Sequence, residues 1–476
     1  MHVQNSSDPL EKKGPAYQAS SLWLYLAGSA LTLSGVLAFL LALARVPALK
    51  WIVSDPMFFR RALVVHVNLG LTVWVFAFIA SLFSLLPGRS KGNRSAPIVS
   101  AIGVLILSII GLSAHSVPVL SNYVPAIDHP VFLVGLAIFG VGIVASFVDF
   151  RLISPIHDSS ASNESILPKS AGPFLRSSAI AFLISVQVII FAFITMPPGL
   201  LTENYYEIAF WGGGHVLMFA AEAGKIVVWM ILIYWLTKQD PLSLKKGNPS
   251  FVLSVIFILP VLILLPFTLS QSPVENSYRE LFTSLMRWGI FPVSTIVGLI
   301  LIWRWYRFSA NDWRKSLKDP VSLTFVLSIA LTISGFVFGA LIRDSNTMVP
   351  AHYHAAAGAV TLAFMGVTPI LFKRFKLNEF RFPKLLYWQP ILYGTGQFIF
   401  ALGFAIAGVY GMGRKLYGSE QQVRGVADWI GLTLVGLGGF IAVLGGLIYM
   451  AYFTHCLAGS IRQSMKDEKI KEETVV

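Results

Sequence analysis

The chain has 476 residues, 55% of them hydrophobic and only 12% charged, with a mean hydropathy of +0.70; soluble domains are nearer a quarter charged, so a soluble fold is excluded. The net charge of +13 gives no reason to invoke nucleic acid, because Lys and Arg of a membrane protein collect in its cytoplasmic loops. The single cysteine, Cys456, excludes an internal disulfide, a CxxCH haem attachment and a cysteine-held iron–sulfur or zinc centre.

The first twenty residues are polar, carry Glu11, Lys12 and Lys13, and read as a cytoplasmic tail rather than a secretory signal. Twelve stretches then reach the length of about 20 apolar residues that a spanning helix needs. They are 21–45, 61–86, 96–119, 130–150, 176–197, 206–237, 250–270, 280–305, 321–342, 350–373, 387–412 and 428–456. The expected fold is all-α, a polytopic bundle of about twelve transmembrane helices forming one domain over 21–456. A second cytoplasmic tail follows at 457–476.

Loop charges orient the bundle. Cations follow helix 2 (Arg89, Lys91, Arg94), helix 4 (Arg151, Lys169, Arg176), helix 6 (Lys238, Lys245, Lys246), helix 8 (Arg307, Arg314, Lys315, Lys318) and helix 10 (Lys373, Arg374, Lys376, Arg381, Lys384). The loops after helices 3 and 5 carry none. By the positive-inside rule both termini are cytoplasmic, in the cell's inner membrane, and even-numbered helices run inward. Arg60 and Arg61 before helix 2, Arg343 before helix 10, and Arg414, Lys415 and Arg424 before helix 12 break the rule and suggest another task.

Of nine histidines, His2 lies in the tail, and His115, His129, His157 and His455 lie in loops or at helix ends. His66 (helix 2), His215 (helix 6), and His352 and His354 (helix 10) lie inside spans, where an ionisable residue marks a functional site by default. All four sit in the first half of an inward-running helix and share one layer of the outer leaflet. His352 and His354 are two residues apart, so they point about 200° apart on a helix. They are unsuited to one shared ion and suited to two cofactors, one on each side of helix 10. Neutral imidazole is a standard axial ligand of haem iron.

Four segments carry a resemblance: DSNTMVPAHYHAAAGAVTLAFMG through helix 10, YRELFTSLMRWGIFPVST opening helix 8, YGMGRK before helix 12, and FWGGGHVLMF in helix 6. Together with the histidine pattern they resemble the haem-copper oxidase subunit I family, which includes the nitric oxide reductases. The resemblance implies two haems, with His66 and His354 as axial ligands of a low-spin haem and His352 as proximal ligand of a high-spin haem. Arg414 and Lys415, and more weakly Arg343, would meet haem propionates. The implied activity is an oxidoreductase with chemistry on O2 or NO. Implied partners are the lipid bilayer, a further oxidase-like subunit, and an external cytochrome or quinol as electron donor.

The sequence also departs from that family. Its second metal, copper in the oxidases, takes one histidine from helix 6 and an adjacent pair at the end of helix 7. His215 matches the first, but LLPFTLSQSP places Phe267 and Thr268 near the pair, and neither ligates copper as imidazole does. Phe219 stands where the oxidases have a tyrosine. Copper is therefore doubted, with His215 a residual candidate ligand. Glu222, seven residues after His215 and about 10 Å deeper, and Lys225 form a candidate proton route or a buried ion pair. The alternatives to an enzyme are a non-catalytic dihaem protein for electron transfer or gas sensing, and a secondary transporter.

Overall fold

The structure is a computed structural model and describes residues 14–44, 55–87, 93–153, 166–243, 247–310, 312–375, 382–414 and 425–475. Among these, twelve helices are long and apolar enough to cross a membrane. They are α1 (Pro15–Ala44), α2 (Pro56–Ser84), α3 (Ser95–Leu112), α4 (Pro130–Phe147), α5 (Ala171–Thr195) and α6 (Thr202–Thr237), then α7 (Ser250–Thr268), α8 (Asn276–Ser309), α9 (Pro320–Ala340), α10 (Met348–Arg374), α11 (Pro383–Val409) and α12 (Val426–Val475). Each coincides with one expected span. Several ends differ from expectation: α3 stops at Leu112 rather than 119, and α2 and α5 start five residues early, at Pro56 and Ala171. α1 begins at Pro15 rather than at 21, and α12 continues past 456 to Val475, through Lys- and Glu-rich sequence of high helix propensity.

Most consecutive helices pack as neighbours, although α7 packs chiefly against α5 and α8 rather than α6; α1 also meets α12, and α6 packs against α10. Small residues allow the closest approaches, as is usual between helices in lipid. Gly403 of α11 lies so near Gly431 of α12 that an added Cβ would stand 2.6 Å from the Gly431 carbonyl oxygen. Asp55 starts α2: its Oδ1 accepts from the Met57 N–H at 2.8 Å, and Pro56 fills the first helical position, where no N–H is needed. Its Oδ2 pairs at 3.0 Å with the buried Arg61. That pairing accounts for one of the cations that break the positive-inside rule.

The helices that carry the spanning histidines form the interior. In α2, α6 and α10, 67%, 89% and 78% of the most apolar stretch is buried, against 28–50% in the other nine. Hydropathy does not predict this ranking, because α7 has the highest mean value, 2.7, and is only 33% buried. Outer helices turn apolar stripes to lipid instead; Ile98, Ile102, Leu105 and Ile109 of α3, at helical spacing, are 50–69% exposed.

Candidate functional site

The starts of α2, α6 and α10 lie at one end of the bundle, the outer end in the charge-based orientation. His66 sits on α2 just before six residues, Asn68–Val73, that form a π-helical turn, a distortion often found at functional sites. Its Nδ1 lies 2.9 Å from both the carbonyl oxygen and Oγ of Ser34 on α1, while the Ser34 hydroxyl donates to the His66 carbonyl at 2.9 Å. A carbonyl only accepts, so Nδ1 carries the proton and Nε2 keeps the lone pair.

His352 is held in the same way. Its Nδ1 donates to the Gly335 carbonyl of α9 at 2.7 Å, and the ring lies over Gly339, where an added Cβ would stand 2.7 Å from Nδ1. A carbonyl on the far nitrogen fixes tautomer and ring orientation for a metal-binding imidazole. His354 faces another way, its ring 4.7 Å from Phe400 and stacked 5.7 Å from Phe404, both on α11. The two imidazoles thus address opposite neighbours of α10, as their spacing predicts.

His66 and His354 also share a depth. The inner parts of α2 and α10 touch through Trp74–Phe364 (6.0 Å) and Phe78–Phe364 (4.6 Å). Counting outward from those contacts, His66 is eight to twelve residues (about 12–18 Å) and His354 ten residues (about 15 Å) away.

His215 is 1% exposed and both of its nitrogens are engaged. Nδ1 donates to the Trp211 carbonyl one turn back at 2.7 Å. Nε2 is therefore the acceptor, and the Tyr123 hydroxyl donates to it at 2.8 Å. Sequence reading missed Tyr123, because a lone aromatic in a loop carries no periodic or motif signal. The residue sits between two short antiparallel strands, β1 (Pro118–Val119) and β2 (Ala126–Ile127), in the left-handed region with φ 63°, which is uncommon for a bulky side chain. Desolvation pushes the pKa of its phenol upward and the Glu207 carboxylate adds to that, with Arg414 opposing. The phenol is therefore a proton-bearing donor at working pH.

Gly214 admits the phenol ring: a Cβ there would stand 2.5 Å from Tyr123 Cβ and Cγ. Gly214→Ala is expected to displace the hairpin and cost about 1–3 kcal/mol, as overpacking does. A thermal melt in detergent measures the loss; an unchanged melting temperature would show that the loop yields freely.

The position of Arg414 follows from backbone pairing. Thr347 N–H donates to the Met412 carbonyl at 2.9 Å and Asn346 bridges to Gly413, so the Arg414 segment lies across the start of α10. The Arg414 guanidinium donates to Asn122 Oδ1 at 3.1 Å, and the Asn122 amide bonds Glu207 of α6. Arg343 donates to the Ala340 and Ile342 carbonyls at 3.0 and 3.3 Å, at the end of its own helix. Lys415 lies outside the described residues.

Deeper in the bundle, Glu222 and Lys225 form a buried ion pair at 2.9 Å. Lys225 also donates to Thr332 Oγ1 on α9 at 2.9 Å and lies 4.5 Å from the Trp229 ring centroid. Thr332 is one turn, about 4.5 Å, from the Gly335 carbonyl that holds His352. The second carboxylate oxygen of Glu222 is buried without a hydrogen-bond partner.

Phe267 is 58% exposed, and the Thr268 hydroxyl donates to Leu265 of its own helix at 2.8 Å. Among the described residues no group of three or more His, Cys, Asp or Glu side chains could hold a metal ion. Two axial positions for haem iron, by contrast, fit the chain: His66 and His352 each present an Nε2 lone pair with the other nitrogen anchored.

Comparison with known proteins gives a consistent result. The family model of cytochrome c and quinol oxidase polypeptide I matches residues 18–441. An uncharacterised protein of Rickettsia prowazekii (strain Madrid E) is 24% identical over 497 residues, covering 90% of this chain and 94% of that protein. An uncharacterised protein of Aquifex aeolicus (strain VF5) is 26% identical over 361 residues, covering 73% and 83% respectively. Among solved structures, a haem-copper terminal oxidase dimer is similar with a TM-score of 0.69 at 17% identity, over 93% of this chain and 84% of its own. That likeness concerns the fold.

Proposed function

The chain belongs to the cytochrome c and quinol oxidase polypeptide I family, and from that premise we propose that it is a dihaem membrane protein of electron-transfer type. The reading assigns a low-spin haem to His66 and His354 and a high-spin haem to His352. The observation that carries it is the paired anchoring of His66 and His352, each by an Nδ1–H to a main-chain carbonyl of a neighbouring helix. Bound haem supplies one-electron redox chemistry and, where an axial position is open, binding of a diatomic gas such as O2 or NO.

The chain's own residues orient the imidazoles and exclude water. Phe400 and Phe404 give His354 an apolar wall. Arg414, held beside the start of α10, supplies a cation for a haem carboxylate, and Lys415 is proposed alongside it. Arg343 is a weaker candidate, because it already meets two carbonyls. Electrons come from outside the chain, from a cytochrome, a quinol or a further subunit, across the cell's inner membrane with both termini cytoplasmic. Glu222 and Lys225 are the proposed proton station, lying one turn below the anchor of His352. An oxidoreductase active on O2 or NO is the family-like reading. A non-catalytic dihaem carrier or gas sensor is the second, favoured by the engagement of both His215 nitrogens.

Reduced-minus-oxidised and carbon monoxide difference spectra of purified protein, with iron and copper analysis on the same sample, test the proposal. Two irons per chain and a carbon monoxide complex support it, whereas no haem at all would overturn it. His354→Ala is expected to abolish the low-spin band completely; an unchanged band would remove His354 as a ligand.

A further inference from the structure

We infer that Tyr123 takes, on His215, the place of the second metal: the pocket beside the high-spin haem is closed by a phenol–imidazole pair rather than by copper. The inference rests on the proposed haem assignment and goes beyond it, because it gives the pocket a wall residue that no motif identifies.

Three independent features converge on this contact. The first is hydrogen bonding. The Trp211 carbonyl fixes the proton on His215 Nδ1, so Nε2 is the only lone pair left to bind a metal, and the Tyr123 hydroxyl already donates to it at 2.8 Å. The second is packing. The Tyr123 ring lies 4.5 Å from the His215 ring and edge-on to Trp211 at 6.0 Å, in space that exists because residue 214 has no side chain. The third is the effort spent on placing it. The hairpin holds Tyr123 in a left-handed conformation, a strain that persists only where surrounding contacts over-determine it.

Those contacts come from four elements. Asn68 of α2 donates to the Pro125 carbonyl at 2.6 Å. The Ser121 hydroxyl donates to the Val124 carbonyl at 2.7 Å. Glu207 of α6 and Arg414 before α12 both hold Asn122. A loop that merely connected α3 to α4 would not need them. The same Asn122 ties the hairpin to Arg414, the proposed propionate cation, so the pair and the haem periphery share one residue.

The consequence is chemical. A metal at this position would offer an electron and an open coordination site, whereas a phenol whose proton is committed to Nε2 and an imidazole with both nitrogens engaged offer neither, and turn only the phenol oxygen's lone pairs to the pocket. The pocket thus belongs to a gas-binding haem with a polar wall.

The test uses full-length, haem-loaded wild-type protein and Tyr123→Phe, incubated with Cu(I) and washed through a chelator. Iron and copper per chain are measured, together with the infrared C–O stretch of the reduced carbon monoxide complex. The expected result is iron without stoichiometric copper, and a C–O stretch that moves in Tyr123→Phe while the low-spin band stays. Stoichiometric copper in the wild type, or a stretch unmoved by the substitution, would overturn the inference and leave the haem assignment standing. Absence of any carbon monoxide complex in the wild type overturns both. If Tyr123→Phe fails to fold, Gly214→Ala displaces the same ring sterically and is expected to move the same stretch.

Discussion

His352→Ala is expected to leave a protein that keeps its low-spin haem band and has lost carbon monoxide binding altogether. The separation follows from geometry. His352 reaches toward α9 and its Gly335 carbonyl, whereas His354 reaches toward α11 and its phenylalanines. Removing one imidazole therefore leaves the surroundings of the other intact. The substitution strips a buried carbonyl of its donor, at a cost of about 1–3 kcal/mol, within what a twelve-helix bundle tolerates. Free imidazole added to the variant is expected to enter the vacated space over Gly339 and restore carbon monoxide binding. Retained binding without it would rule out His352 as the proximal ligand.

Lys225→Met is expected to produce the largest loss of stability. The substitution leaves the Glu222 carboxylate 9% exposed with no cation and one oxygen already unpartnered. Breaking a buried pair from one side costs about 3–5 kcal/mol, while replacing both partners by apolar residues is often neutral. Glu222→Leu/Lys225→Met is accordingly expected to unfold near the wild-type midpoint, and the pair to couple strongly in a double-mutant cycle. Denaturant unfolding in micelles measures all three variants. A small loss for Lys225→Met alone would mean that water reaches the pair.

Much of this was legible in the amino-acid order. Spanning helices are read from local windows, because bilayer thickness sets one length for every helix whatever its neighbours, and all twelve stand where hydropathy placed them. The divergence of His352 and His354 follows from helical pitch alone. The Glu222–Lys225 pair was readable as one of two alternatives, and the structure shows it closed at 2.9 Å. The Phe219 substitution was readable too, but its sequel was not: a tyrosine reaches the same histidine from another element, 92 residues away in sequence.

By itself, then, the sequence determined the helices, because each depends on residues within one or two turns. Only the tertiary structure decided which helices are interior, since lipid is as apolar as a packed leucine and hydropathy cannot separate the two. It alone decided that Tyr123 meets His215 and that Arg414 meets Asn122, 292 residues apart. Such contacts are fixed by buried donors and acceptors that must find partners inside a medium offering no water, and chain order does not reveal which partner a polar group will find.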